Sequence, residues 1–418
     1  MSLPPTTTVP VQADDRPQRH PSLYVSFSGD GRMVLENGVP SGRLESSREL
    51  MDVLALCDGT RTLAGIAEQL PWSDPSPEAR LVLVRVLVER LRLHGLVLDP
   101  QGCAPSQPNY GYARPEIHRT MLLDTVRTEA FRAAIMSVVK PGDVVVDMGT
   151  GTGVLAMFAA QAGAGEVHGI ECSAIADPAR RVLDLNGFAS VQLHQCDAET
   201  LELPVKADVI VSEWLGYFVY ADGMYPAFAG LRDRILKPGG AAIPASVDVL
   251  LAPMDDRDTR GHTYWNARPY GFDFAPLMEE EYRFSQIRFV SPDALLAPSQ
   301  VVDRIDCLVA TQKDLCVERR ASWRLDRNGT LNAMCGSFRA FLAPEVVLDT
   351  APGAPETHWQ QHVFAIRPIE VRAGDRLDLT FRTTEAPYDA RLVRIELEGV
   401  VVGPGGEERG RFHHDYDQ

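Results

Sequence analysis

VVVDMGTGTGVLAMFAAQAG, residues 144–163, decides how the chain is read. An apolar run, a glycine-rich turn and an alanine-rich helical stretch make a strand, loop and helix, the arrangement in which a backbone approaches a ligand at a strand's carboxyl end. Gly149, Gly151 and Gly153 permit that approach, and Asp147 precedes them. No GK[ST] follows, so a nucleotide triphosphate loop is not indicated. Glu171, in VHGIECS, ends the next apolar strand about 20 residues on, where a carboxylate accepts bonds from ribose hydroxyls. That pair fits either NAD or S-adenosylmethionine. The DxGxGxG spacing and a third acidic stretch, CDAETLELP, in which Glu199 is placed to meet an adenine amino group, favour the second. We expect an α/β Rossmann-like domain.

The rest of the chain agrees with an enzyme handling a cationic partner. Of 418 residues 45% are apolar and 23% charged, with a formal net charge of −16, which argues against non-specific binding to a polyanion. The seven cysteines form no CxxC pair, so neither a metal site nor a disulfide framework is expected, and a cytoplasmic setting is simplest. No run of about 18 apolar residues predicts a membrane span, and the Pro/Thr-rich residues 1–20 read as a disordered leader.

Residues 21–101 make a unit of their own. LYVSFSGDGRMVLENG alternates around Gly29, Asp30 and Gly31 as a hairpin does. Ser46 or Ser47 caps a helix on Leu50, Val53 and Leu54, a Thr cap opens a second on Leu63 and Ile66, and ARLVLVRVLVERLRLHG is a third, closed by Gly95. Two strands and three helices suggest a small winged helix. LCDGTRTLAGIAEQL, with the helix ending LRLHGLV, resembles the PqqD-like domains that recognise leader peptides of ribosomally made precursors. The resemblance implies capture of a peptide at a strand edge. Arg80, Arg85, Arg90 and Arg92 keep a DNA-binding winged helix as the alternative, with a cofactor-sensing rear half.

DMGTGTGVLAMFAAQAGA, GIECS, SEWLGYF and THW follow one another as in protein arginine methyltransferases, and YGYARPEIHRTMLLDTVRT resembles that family's cofactor-covering segment, here residues 102–130. The likeness implies that Arg127 grips the methionine carboxylate, that Tyr112, His118 and Met121 line or close the site, and that Gly149, Gly151 and Glu171 hold the nucleoside. It also implies that Glu213 and Asp222 clamp a substrate guanidinium, a planar cation with enough donors to lie between two carboxylates. Trp214, Tyr217 and Trp359 would line the acceptor site. His358, paired with Asp124, would position the acceptor or take its proton. Asp222 is a methylene shorter than the family's second glutamate, a displacement on the order of 1.5 Å, so another nucleophilic peptide group is also a candidate acceptor.

Residues 131–244 are then the Rossmann-like domain. From 245 to 418 the pattern alternates, as in VDVLLAP, DRLDLTFRTT and ARLVRIELEGVVV, and predicts a β-barrel domain. YGFDF, within 255–290, resembles the start of the family's dimerisation arm and implies a homodimer. The combined expectation is a methyltransferase using S-adenosylmethionine, with a ribosomal precursor peptide as partner, or a general protein arginine methyltransferase whose front domain recruits proteins.

Overall fold

A computed structural model describes residues 15–19, 23–27, 33–36, 43–72, 76–93, 96–98, 111–220, 223–256, 267–282, 284–386 and 389–416. They fall in two units, Met1–Ala113 and Arg114–Gln418.

In the first unit, β1 (Tyr24–Phe27), β2 (Met33–Glu36) and β3 (Arg43–Glu45) form an antiparallel sheet in that order, followed by α1 (Arg48–Leu56), α2 (Leu63–Gln69) and α3 (Pro77–Leu93). The alternation predicts only two strands. β3 is added because Leu44 comes opposite Leu35 and the two are buried with Leu50, Val53, Ile66 and Val88. Both expected caps form: Ser47 accepts the Leu50 amide at 3.3 Å and Thr62 the Gly65 amide at 3.2 Å. The hairpin residues Gly29 to Gly31 and the capping Gly95 lie outside the described residues. So do 1–14, but 15–19 are not a disordered leader. Gln18 bridges to Asp58, Arg19 to Val97, and Asp15 takes an ion pair from the buried Arg92 at 3.3 Å.

The second unit opens with α4 (Pro115–Leu123) and α5 (Thr125–Val138), where the periodicity predicts one continuous helix. Asp124 divides them: it ends the first and its carboxylate caps the second, accepting the Arg127 amide at 2.9 Å. A domain boundary at 130/131 therefore falls inside α5. Five parallel strands follow, β4 (Val144–Met148), β5 (Glu166–Ile170), β6 (Gln192–His194), β7 (Ala207–Ser212) and β8 (Leu236–Ile243), ordered β6-β5-β4-β7-β8. The connecting helices are α6 (Val154–Gln161), α7 (Ala176–Leu185) and α8 (Tyr225–Ile235). β4 and β7 are buried almost throughout, as strands covered on both faces must be. The chain leaves β4 for one side of the sheet and returns to the other at β7, so the crevice beyond their carboxyl ends is where a ligand is expected.

Two antiparallel sheets complete the unit. One is ordered β10-β15-β13-β9-β11, with β14 beside β13 (β9 Ser246–Met254, β10 Ser285–Arg288, β11 Gln300–Asp306, β13 Gly329–Ala343, β14 Val346–Asp349, β15 Gln361–Val371). The other is β12-β16-β17-β18 (Glu318–Arg324, Arg376–Ala386, Asp389–Val402, Glu408–Tyr416). One apolar core runs from α5 and the parallel sheet into both. Of the arm segment 255–290, residues 255–256, 267–282 and 284–290 are described, with a turn at Pro269–Gly271 and a helix over Ala275–Glu281. Among the described residues no helix is long and apolar enough to cross a membrane.

Candidate active site

The glycine loop closes on the acid that follows it. Gly149 and Thr150 donate their amides to Ile170 O at 2.8 and 2.9 Å, so the loop is tied to the end of β5. Glu171, 5% exposed, accepts the Gly151 amide on one oxygen (3.0 Å) and the Ser173 amide on the other (2.8 Å). Gly151 has to be glycine: its φ is +55°, and a Cβ there would stand 2.9 Å from the His118 ring. His118 is thereby laid against the loop from α4. Gly153 serves packing, since its Cβ would meet Leu183 at 3.1 Å.

Asp147 is buried beneath the loop. Its Oδ2 accepts the Thr150 hydroxyl at 2.6 Å, while its Oδ1 lacks a well-formed hydrogen bond. Burial pushes its carboxyl up to about 7 and the Glu171 charge adds to this, against the Thr150 hydroxyl, the nearby Ala156 amide and the Arg127 cation.

Across the crevice Arg127, 6% exposed, donates from Nη2 (3.0 Å) and Nε (3.3 Å) to a single oxygen of Glu213, Oε2. The other Glu213 oxygen accepts the Leu215 amide at 3.0 Å. The guanidinium also lies 5.7 Å from the Phe131 ring centroid and 5.9 Å from that of Trp359. Asp124 joins the same group: beyond its bond to the Arg127 amide, its Oδ2 meets both the amide and Nδ1 of His358 at 2.8 Å. Burial pushes the Asp124 carboxyl up, but the hydrogen bonds from His358 and Arg127 outweigh it and leave the group below its usual range. The pairing expected of Asp124 and His358 is therefore formed, across 234 residues of chain.

The aromatic residues divide. Tyr217, four residues after Glu213 in sequence, is 38% exposed. Trp214 is not an acceptor-lining residue: at 1% exposure it packs edge-on against Tyr225, centroids 4.5 Å apart, in the core below the loop. Trp359, 2% exposed, faces Arg127 and Phe338. Met121 is half-buried at the end of α4, and its carbonyl accepts the Thr128 hydroxyl at 3.2 Å. Glu199 is exposed in the turn after β6. Tyr112 belongs to the first unit, in the short turn Gly111–Ala113. Asp222 lies outside the described residues. Met224, with no side-chain bond, occupies the N-cap of α8, so that helix does not depend on an aspartate cap.

Sequence reasoning passed over Phe131, Thr150 and Ser173. Phe131 reads as one apolar residue of a periodic helix, and only the fold turns it toward Arg127. Thr150 and Ser173 stood within quoted motifs, but their roles are set by backbone geometry. Asp124, Glu171 and Glu213 together outnumber Arg127, so the crevice carries excess negative charge that suits a cation. The residues also fit S-adenosylmethionine: a glycine cradle, a fixed carboxylate for a ribose, an unsatisfied Asp147 oxygen for an ammonium, and an arginine whose Nη1 is not engaged with Glu213 for a carboxylate.

Comparison with known proteins gives the same answer. Residues 145–240 match a methyltransferase domain model and residues 245–399 the arginine methyltransferase oligomerization subdomain. Protein arginine N-methyltransferase 6 of Danio rerio is 35% identical over 312 residues, spanning 69% of this chain and 88% of the relative. Protein arginine N-methyltransferase 1 of Dictyostelium discoideum is 31% identical over 302 residues, 70% and 88%. The structure resembles Arabidopsis thaliana protein arginine methyltransferase 10 (TM-score 0.66, 29% identity, 73% of this chain and 98% of that one). It also resembles the arginine methyltransferase 1 enzyme–prozyme complex of Trypanosoma brucei with AdoHcy (TM-score 0.68, 27% identity, 73% and 99%).

Proposed function

Because this chain belongs to the protein arginine N-methyltransferase family, and is an S-adenosylmethionine-dependent protein methyltransferase, we propose that it methylates a guanidinium nitrogen of arginine in a protein or peptide. The observation that carries this reading is Glu213, a nearly buried carboxylate held by three donors on the crevice wall.

The bound cofactor supplies an electrophilic methyl group on a sulfonium and leaves as S-adenosylhomocysteine. This chain's residues do the rest by placement. Glu171 receives the ribose hydroxyls, and Arg127, with Nη1 turned from Glu213, holds the methionine carboxylate. Glu213, immobilised by Arg127 and Leu215, keeps lone pairs for guanidinium N–H groups and so aims the attacking nitrogen; Asp222 is the second acceptor of those groups. This is catalysis by orientation and preorganised charge. His358, held at Nδ1 by Asp124, presents its other nitrogen to the acceptor side and takes or relays the proton shed on transfer.

The first unit acts as the recruiting module, a PqqD-like winged helix that captures the leader of a ribosomal precursor peptide. Among the described strands β1 and β3 each pair on one side only, which leaves edges for an added peptide strand. Tethering raises the local concentration of a weakly bound acceptor segment. The DNA-binding alternative loses a cation, since Arg92 is 4% exposed and engaged with Asp15. The arm, with Tyr270 90% and Phe272 67% exposed, supports a homodimer. A cytoplasmic location fits the described cysteines, none of which is in a disulfide.

Mass spectrometry of candidate precursor peptides incubated with enzyme and cofactor, with and without their leaders, tests the reading. Methylation of arginine that weakens when the leader is removed supports it. Equal methylation of leaderless peptides removes the tethering role, and modification only at other residues removes the acceptor assignment.

A further inference from the structure

The segment that carries Glu213 turns tightly before it reaches α8. Val219 sits at φ +66°, its amide bonds to Leu215 O at 2.7 Å, and the Tyr220 amide bonds to Phe218 O at 2.6 Å. A β-branched residue in the left-handed region is strained and persists only where its neighbours over-determine it. Two holds do so here. Phe218 lies over Gly336, where a Cβ would meet its ring at 2.6 Å, and packs edge-on against Phe364 with centroids 5.3 Å apart. Tyr220, 2% exposed, donates its hydroxyl to Asp303 Oδ2 at 2.9 Å, and Arg319 Nε donates to Asp303 Oδ1 at 3.0 Å.

These partners come from the antiparallel sheets. Asp303 stands where β11 slips register against β9, between Val301 and Asp303, and is 4% exposed; a bulge of this kind re-aims a side chain. Burial, and next the Asp303 charge, push the Tyr220 phenol well above its usual range, so the donor keeps its proton at any working pH. A phenyl ring alone would fill the same space. What the hydroxyl adds is a directional, charge-assisted tie from the catalytic loop to a carboxylate that is itself fixed by a guanidinium.

We propose that Tyr220 is a positioning residue for methyl transfer: tied through Asp303 to Arg319, it holds the strained loop in the shape that presents Glu213 to the acceptor. Asp222 follows two residues later in sequence. The inference rests on the function proposed above.

Steady-state kinetics, cofactor affinity and melting temperature of full-length Tyr220→Phe, Asp303→Ala and Asp303→Asn, beside Glu213→Gln, test it. Tyr220→Phe is expected to lower kcat by about 10- to 100-fold, since a loop displaced by up to about 1 Å misdirects the nucleophile, with cofactor Kd unchanged. Asp303→Asn, whose amide oxygen still accepts the phenol, recovers most of the rate lost in Asp303→Ala. Wild-type kcat in Tyr220→Phe overturns the proposal, as do equal losses in the two Asp303 variants or a fall in cofactor affinity matching the fall in kcat. If Glu213→Gln is inactive while Tyr220→Phe is unaffected, only this inference fails; if Glu213→Gln also turns over normally, the acceptor assignment fails with it.

Discussion

At the scale of single residues the chemistry depends on how one guanidinium is divided. Arg127 spends two nitrogens on one oxygen of Glu213, which fixes the carboxylate and leaves its third nitrogen, Nη1, out of that pairing. Removing either partner should therefore have different consequences. Glu213→Gln keeps an oxygen for Arg127 but loses the charge that orients the acceptor. Its kcat should fall by ~10²–10³-fold with cofactor affinity retained, as measured by single-turnover assay and isothermal titration. Arg127→Ala should weaken cofactor binding first and also destabilise the fold, because Glu213 is left as a largely buried charge without its cation. These residues were legible because their motifs are short and local. What was not legible is that Trp214 turns into the core while Tyr217 turns out, since the direction of each side chain is set by Gly216 at φ +51° and the turn at Val219.

At the scale of elements, the glycine loop and the carboxyl ends of β4, β5 and β7 form the rigid side of the site. Gly151→Ala tests that rigidity: the new methyl meets the His118 ring, and an L-residue at positive φ is strained on the order of 1–3 kcal/mol. If the loop shifts to relieve that strain, cofactor affinity should drop by roughly 5- to 150-fold, since about 1–3 kcal/mol spans about 0.7–2.2 decades at 1.36 kcal/mol each. Unchanged affinity would mean that the loop does not approach the ligand. The parallel half of the fold was readable from apolar runs separated by glycine-rich turns and an alanine-rich helical stretch. The break at Asp124 was not, because the helical periodicity of MLLDTVRT continues through it; the break exists to aim one carboxylate at both Arg127 and His358. β3 escaped for a similar reason, since three residues are too short to show alternation.

For the whole molecule, β15 and the last strand, β18, meet around two buried histidines. His362 is stacked on Phe364 with centroids 4.7 Å apart and hydrogen-bonds Ser285 of β10, while His414 Nδ1 bonds to Ala365 O at 2.9 Å. Burial, with His414 adding, pushes His362 down to about 4, and burial lowers His414 as well. A histidine depressed in the folded state binds its proton more readily when unfolded, so stability is complete above the ordinary value of 6.5 and is lost as pH falls from there to about 4. Asp147, raised by burial, acts in the opposite sense over much of this range. The comparison is therefore between wild type and His362→Gln: the variant should lose up to about 3 kcal/mol less on acidification from pH 6.5 to 4 in chemical denaturation. Parallel profiles would show that His362 does not carry the acid sensitivity. The sequence set the front unit apart at 21–101, while the compact unit runs on to Ala113; the pairing of strands across the rear sheets was not legible, because alternation marks a strand without naming its partner.

The central claim is that a fixed carboxylate directs an arginine nitrogen toward a sulfonium methyl. The direct measurement is to incubate the full-length enzyme with methyl-labelled S-adenosylmethionine and an arginine-containing peptide, alongside the same peptide with citrulline, and to locate the label by fragmentation mass spectrometry. The account predicts label on the guanidinium nitrogens of arginine, none on citrulline, and an initial labelling rate lowered ~10²–10³-fold with Glu213→Gln. Label on another residue type, or equal labelling by Glu213→Gln, would contradict it.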